Sequence, residues 1–389
     1  MIPSTLAAEV TDALEDFLST GFGPSNPALS SVVEDFLADT ENLLKGPYLS
    51  VELPFQRAPE GGEPFPETPL GFTPYRHQRT AFDRLADDQS TVIATGTGSG
   101  KTECFLYPVL DHCRERSGTP GVKAIFIYPM NALASDQARR IAGIINRTEG
   151  LRGKVTAGLY VGETGASPRT HMTADHLVEN RDVLRERPPD ILLTNYKMLD
   201  LLLTRPVDFP LWRHNTSGML RYLVVDELHT FDGAQGTDLA CLVRRLRARL
   251  EAGGGLVCVG TSATIGGADD QRAILDYVSS VFHQRFSPDA IVGEVRQGID
   301  EFLEDAIISS YLVAQPRLAE RMDPAKYKSS EDYIRTQHEV FFGEAPAGEF
   351  ESLDWRLALG RKLREHASFV NLLRVLDGSR PTAVGSVLD

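Results

Sequence analysis

Long apolar runs are what this chain of 389 residues most plainly lacks. None approaches the ~18 consecutive apolar residues of a membrane-spanning helix, so no membrane partner is expected. The opening Met1-Ile2-Pro3-Ser4-Thr5 carries no basic stretch and turns acidic soon after, so a secretory signal is not expected either. Cysteine is scarce. Its four copies, Cys104, Cys113, Cys241 and Cys258, share no metal-ligand spacing and read as buried thiols in a reducing compartment, which predicts a cytoplasmic protein. Positive charge is in deficit as well, with 40 Lys and Arg against 54 Asp and Glu and a net charge of −14. That balance argues against a nucleic-acid partner until its distribution is considered. Residues 1–70 hold twelve acids and two bases (Lys45, Arg57) and carry −10, leaving −4 for the other 319. The acidity belongs to an N-terminal appendage, and the remainder can still present basic patches. Composition is otherwise ordinary for a globular protein, at 42% apolar and 24% charged, and the length suggests two or three domains.

The most informative stretch is Ala94-Thr95-Gly96-Thr97-Gly98-Ser99-Gly100-Lys101-Thr102. It follows the apolar run Thr91-Val92-Ile93 and leads into a helical pattern from Cys104 to Leu110, the strand–loop–helix context of a phosphate-binding loop. Glycines at 98 and 100 let backbone N–H groups turn inward around a phosphate, and the helix N-terminus adds the positive end of its dipole. Lys101 is placed to reach the β- and γ-phosphates of ATP, and the Thr102 hydroxyl to sit on Mg²⁺. Thr97, Gly98, Ser99 and Gly100 complete the expected cradle. Thr95 stands where the strict pattern has glycine.

Around this loop the chain alternates short β-branched strands with helices. Strands are expected at 91–95, 122–129, 154–161, 190–195, 220–227 and 256–261. Helices are expected at 77–87, 101–115, 131–146, 173–187, 196–204, 236–251 and 270–283. Near-continuous apolar strands alternating with helices predict an α/β fold, a parallel sheet covered on both faces with ligands at the carboxyl ends of its strands. Residues 1–70 read as an acidic accessory segment of two helices and a Pro- and Gly-rich linker, 71–285 as the nucleotide-binding lobe, and 286–389 as a helical insertion or linker.

Two more motifs fall at strand ends. Asp226-Glu227-Leu228-His229 closes the run Tyr222-Leu223-Val224-Val225. Beside a phosphate loop, Asp226 is placed to hold Mg²⁺ through water, and Glu227 to act as the base that orients the attacking water. Thr261-Ser262-Ala263-Thr264 follows Leu256–Gly260, and its hydroxyls are placed to bond the Asp226/His229 cluster. An Arg-rich helix (Arg244, Arg245, Arg247, Arg249) reads first as a solvated face and second as a nucleic-acid contact.

Taken together, Thr97–Thr102, Asp226–His229 and Ser262–Thr264 resemble motifs I, II and III of superfamily-two helicases of the DExH kind. Tyr128-Pro129-Met130-Asn131-Ala132-Leu133-Ala134-Ser135-Asp136-Gln137 resembles motif Ia of the Lhr/YprA-like branch, Leu193-Thr194-Asn195-Tyr196 resembles motif Ib, and Tyr75-Arg76-His77-Gln78 resembles the upstream Q-type motif. Gly46-Pro47-Tyr48-Leu49 and the extended phosphate loop are similar to those of very large bacterial helicases such as that of the Druantia antiphage system. The resemblance covers roughly residues 70–285 and implies one P-loop RecA-like lobe that hydrolyses ATP and tracks single-stranded nucleic acid, with DNA preferred. It assigns Gln78 to the adenine edge, Lys101, Asp226, Glu227 and His229 to hydrolysis, and Ser262 and Thr264 to coupling. Pro129, Asn131, Thr194 and Asn195 are assigned to the phosphodiester backbone.

A motor of this kind uses a second RecA-like lobe with an arginine finger. Residues 286–389 show no second strand–helix alternation and no Gln-x-x-Gly-Arg-x-x-Arg, and Leu359-Gly360-Arg361-Lys362-Leu363-Arg364 falls in a helical pattern. The expectation is the front portion of a longer helicase, or half of a split one, whose second lobe is supplied by the rest of the chain or another subunit. A double-strand translocase that never separates strands, and a nucleotide-gated binding module that does not turn over, stay open as alternatives. A transporter-type ATPase is disfavoured, because no Leu-Ser-Gly-Gly-Gln occurs.

Overall fold

The computed structural model describes residues 3–43, 48–162, 168–263, 268–312, 317–346, 348–376 and 382–383. The chain divides into two compact units, Phe55–Val295 and a second made of Met1–Pro54 with Arg296–Asp389. In the second unit the described residues are mainly helical, with Pro3–Phe22 and Pro27–Ala38 before the division and Ser330–Phe342, Leu353–Arg364 and Ala367–Val375 after it. A two-stranded ribbon, β1 (Tyr48–Leu49) with β9 (Thr382–Ala383), joins its two sequence segments antiparallel.

The larger unit is built on one sheet. Its strands are β2 (Thr91–Ala94), β3 (Ala124–Tyr128), β4 (Ala157–Tyr160), β5 (Ile191–Asn195), β6 (Tyr222–Val225), β7 (Val257–Ser262) and β8 (Ile291–Gly293). They lie in the order β4-β5-β3-β6-β7-β2-β8, and every pairing is parallel. Successive strand residues enter opposite cores, as the two-residue period of a strand requires. Ile125, Ile127, Leu192, Leu223 and Val225 pack with Leu199, Leu202, Leu239, Val243, Val278 and Phe282. Ala124, Phe126, Tyr128, Leu193 and Val224 pack with Leu85, Phe105, Leu106, Val109, Ile141 and Ile145. The expected parallel sheet with helices on both faces is the one observed, in the arrangement of a RecA-like P-loop fold.

Two elements depart from expectation. Of the helix expected at 173–187 only Arg181–Glu186 forms. The Asn180 side chain accepts from the N–H groups of Asp182 and Val183 (both 3.1 Å) and so sets the helix start at 181. The residues before it run extended along β4, where Leu159 N–H donates to Val178 O at 2.8 Å and covers the open edge. The other departure is β8, which lies beyond the expected end of the lobe at 285 and pairs with β2. Three residues of strand, Ile291-Val292-Gly293, are too short to show a periodicity.

The amino ends of the central strands are tied by a buried ion pair. Lys123 is fully buried, with its ammonium on the Asp190 carboxylate and 2.7 Å from Thr119 O. Asp190 Oδ2 also accepts from Thr156 N–H (2.7 Å) and Thr156 Oγ1 (2.8 Å). Asp190→Ala leaves an uncompensated buried ammonium and is expected to destabilise the unit by about 3–5 kcal/mol, read from urea unfolding followed by circular dichroism.

Candidate nucleotide site and strand-end motifs

All the motifs meet at the carboxyl ends of the strands because the parallel registers align them. Ala94 lies opposite Ser262, Val225 opposite Gly260, Ile127 opposite Val225, and Tyr128 opposite Asn195. The loop after β2 therefore sits beside the ends of β6 and β7, and the end of β3 sits beside the end of β5.

The phosphate loop is held by its own polar groups. Gly98 and Gly100 have φ of 78° and 76°, in the left-handed region. The positive φ is what calls for glycine at 100, and a Cβ there would also push aside Gln78 Nε2, 2.3 Å away. Ser99 is fully buried, and its hydroxyl lies 2.7 Å from Thr95 Oγ1 and 2.8 Å from Gly96 O. Ser99 thus offers the cavity its backbone only. Thr95, which replaces the usual glycine, is what anchors it. His77 Nε2 lies 2.9 Å from Ser99 O. Glu294, just past β8, accepts the Gly96 N–H at 2.7 Å.

Gln78, expected at the adenine edge, is bonded to the loop. Its amide oxygen accepts from Tyr75 N–H at 2.9 Å and its amide nitrogen donates to Gly100 O at 3.1 Å, with the side chain buried. Each end of the amide makes one bond to backbone, so Gln78 braces the loop while it lines the cavity, with one N–H and one lone pair left over.

A cavity of about 690 Å³ opens over the loop, lined by Gln78, Thr97, Gly98, Gly100, Lys101, Thr102, Asp226 and Glu227 among others. Lys101 Nζ stands 3.4 Å from Glu227 Oε1. Glu227 itself has φ of 49°, uncommon for a residue with a side chain. Its N–H donates to Thr261 Oγ1 at 2.9 Å, and the Thr261 hydroxyl in turn donates to Asp226 Oδ1. Thr261, buried at the end of β7, is thus the hydroxyl that ties motif II to motif III. The Val225–Gly260 register places Asp226 next to Thr261, and that pairing is the signal that would have singled it out. Ser262 Oγ lies 3.4 Å from His229 Nδ1, which is 3.4 Å from Glu227 Oε2, so Ser262 and His229 do come together. Thr264 lies outside the described residues.

Burial raises the Asp226 carboxyl above its ordinary value, against the lowering contributed by the Thr261 hydrogen bond and Lys101. A divalent cation is the natural compensation. Among the described residues no cluster of three or more His, Cys, Asp or Glu could hold a metal by itself. The donor set of Asp226 and Thr102, completed by phosphate oxygens and water, fits Mg²⁺, which binds through one or two carboxylates.

The second group of expected residues gathers at the neighbouring ends of β3 and β5. Asn195 caps the helix Tyr196–Thr204 by accepting Met198 N–H at 2.8 Å, and its Nδ2 donates to Asn131 Oδ1 at 2.7 Å. Asn131 opens the helix Asn131–Arg147, whose N-terminus carries no side-chain cap, and Pro129 precedes it, partly exposed. Thr194 is placed otherwise. It is fully buried and donates to Tyr160 O at 2.7 Å, because it occupies a strand interior position rather than the loop after it. Its side chain is thus engaged within the sheet. Of the Arg-rich helix, Arg245 pairs with Asp200, Arg247 bonds Gln284, and Arg249 lies 4.0 Å above the Phe209 ring. Those three arginines are engaged by protein.

The DEAD/DEAH box helicase family matches residues 75–272, half of the chain. The chain belongs to this family. It is similar to the Druantia protein DruE of Escherichia coli (strain UMEA 4076-1), 26% identical over 373 residues that cover 67% of this chain and 20% of DruE. It is also similar to the uncharacterized ATP-dependent helicase YprA of Bacillus subtilis (strain 168), 32% identical over 194 residues, covering 49% of this chain and 23% of YprA. Among solved structures, the DUF1998 helicase MrfA bound to DNA aligns at a TM-score of 0.49 and 21% identity, covering 85% of this chain and 45% of that one. The chain spans about a fifth to a quarter of the length of DruE and YprA. No helix among the described residues is long and apolar enough to cross a membrane.

The buried Asp226 predicts a trade of stability for function. Its raised carboxyl pKa means that the folded state gains from protonation at low pH and bears the cost of the charge at neutral pH. Asp226→Asn is expected to raise the unfolding midpoint at pH 7 without Mg²⁺ by about 2 °C, the size of shift that under 1 kcal/mol produces in a domain of this size. The gain should fade as pH falls through the carboxylate range. Thermal unfolding of both proteins from pH 7 to pH 4 checks this.

Proposed function

We propose that the unit Phe55–Val295 is the ATP-binding motor lobe of a DNA helicase or translocase, and that the helical residues after it lead toward a second RecA-like lobe. The observation that carries the reading is the convergence of Lys101, Thr102, Asp226 and Glu227 on one cavity at the end of a parallel sheet. In this reading the N–H groups of residues 98–102 and Lys101 hold the phosphates of ATP. Asp226 and Thr102 hold Mg²⁺, which when bound neutralises charge developing on the transferred phosphoryl group. The Lys101–Glu227 contact is long at 3.4 Å. When a triphosphate draws Lys101 to its own oxygens, Glu227 is released to take a proton from the attacking water. His229 and Ser262 then carry the state of Glu227 toward β7.

Asn131 and Asn195, joined by their hydrogen bond, with Pro129, form the surface proposed to hold one strand of DNA through its phosphates, without reading sequence. DNA is preferred because the resemblance to the Lhr/YprA-like branch implies it. The likeness to DruE over 67% of this chain supports a setting in bacterial antiphage defence.

Phosphate release by the chain with Mg²⁺·ATP, with and without single-stranded DNA, tests the reading. Lys101→Ala and Glu227→Gln are each expected to lower turnover by at least about 100-fold, the lower range of what a positioned base contributes. Lys101→Ala should also lose ATP binding while Glu227→Gln retains it. Normal turnover in both variants would sink the assignment. Tight ATP binding by the unmodified chain without turnover would favour the nucleotide-gated module, with the arginine finger supplied from outside these residues.

A further inference from the structure

We propose that Glu103 and Gln137 read hydrogen-bond donors on the nucleoside of the bound triphosphate and so determine which nucleotide this lobe accepts; the inference rests on the cavity being an ATP site. The cavity lining includes two chemically distinct sets of residues. One comprises the phosphate loop with Asp226 and Glu227; the other is aromatic, with Phe72, Tyr75 and Arg57, whose guanidinium lies 5.4 Å from the centre of the Tyr75 ring. Two helices add polar side chains to the lining, Glu103 from Lys101–Glu115 and Gln137 and Arg140 from Asn131–Arg147.

These side chains are not satisfied by the protein. Glu103 Oε1 pairs with the Arg140 guanidinium, but Glu103 Oε2 is buried with no hydrogen-bond partner among the described residues, and so is Gln137 Oε1. Two orphaned acceptors in one cavity wall are a cost to the folded chain that a ligand can relieve. Whichever way the Gln137 amide is turned, an unmet polar atom remains there, and the carboxylate of Glu103 can only accept.

The need for a donor decides which part of the ligand they meet. Arg140 already balances the charge of Glu103, and what the two unmet oxygens need is a donor. At neutral pH the phosphates carry no donors, whereas the nucleoside carries ribose hydroxyls and ring or amino N–H groups. Glu103 sits beside Gly100, its Oε2 3.3 Å from where a Cβ there would stand, on the same side as Gln78. Gln78 already has one bond at each end of its amide, whereas Glu103 Oε2 and Gln137 Oε1 have none, so these two have the larger unmet need for a donor.

Calorimetric titration of the chain with Mg²⁺ and four nucleotides tests this: ATP, 2′-deoxy-ATP, 3′-deoxy-ATP and purine riboside triphosphate, which lacks the exocyclic amine. At least one analogue is expected to bind roughly ten-fold or more weakly than ATP, since a site that leaves its polar groups unpaired rejects the ligand lacking the donor. The analogue that suffers identifies ribose or base as the group read. Glu103→Gln, which presents an N–H where the acceptor stood, and Gln137→Leu should each bring that ratio to within about two-fold while leaving the affinity for the deficient analogue near its original value. Equal binding of all four nucleotides by the unmodified chain overturns the proposal. So does an unchanged ratio in both variants, or a proportional weakening of all four, which would be a folding defect. Lys101→Ala separates the two readings, because it should weaken all four alike by removing the phosphate contact. Binding of none by the unmodified chain would overturn the ATP site itself.

Discussion

Parallel pairing is the constraint on which the rest of the larger unit depends. A parallel strand must return by a crossover, and the crossovers here are the helices that cover both faces of the sheet. All seven strands then point their carboxyl ends the same way. The loops that follow them contain the phosphate-binding glycines, the acidic pair, the hydroxyl motif and the two asparagines. Residues far apart in the chain become neighbours only because Ala94 faces Ser262 and Val225 faces Gly260. A slip of one residue in the β6–β7 pairing would turn Thr261 away from Asp226 and put Gly260 or Ser262 in its place.

At this edge the chain accepts local costs. Glu227 takes a left-handed backbone conformation, of order 1–3 kcal/mol for a residue with a side chain. Thr261 accepts its N–H, and Thr230 returns two hydrogen bonds of 2.8 Å to its carbonyl, from backbone and hydroxyl. The turn aims the carboxylate at Lys101 and His229 instead of continuing the strand. Asp226 is buried enough to resist ionisation. The unfavourable charge is one that a bound cation would relieve.

The helix Asn131–Arg147 stands between the two groups of residues. Its first residue is bonded to Asn195, and two turns later Gln137 and Arg140 face the cavity over the phosphate loop. Its buried side, Ala134, Ala138, Ile141, Ala142 and Ile145, packs on the sheet. One helix thus contributes side chains to both groups of residues. Small alanine side chains along this face let the helix lie close to the sheet.

Most of the fold was legible because the apolar strands were bounded by glycine and helix signals and alternated with helical periodicity. The loop from Thr97 to Thr102 and the pair Asp226–Glu227 were legible for a related reason, since their chemistry requires those residue types consecutively in the chain. What adjacency in the chain could not carry was decided by the tertiary structure. Thr261, rather than Ser262, bonds Asp226 through strand register, and Glu294 reaches Gly96 from a strand of three residues with no periodic signal. Thr194 looked equivalent to Asn195 until the alternation of β5 turned one inward and left the other at the strand end. The amide of Gln78 was claimed by a loop that lies next to it only after folding. Local chemistry is written in consecutive residues; the choice among neighbouring hydroxyls, carboxylates and amides belongs to contacts across the sheet, which no stretch of sequence contains.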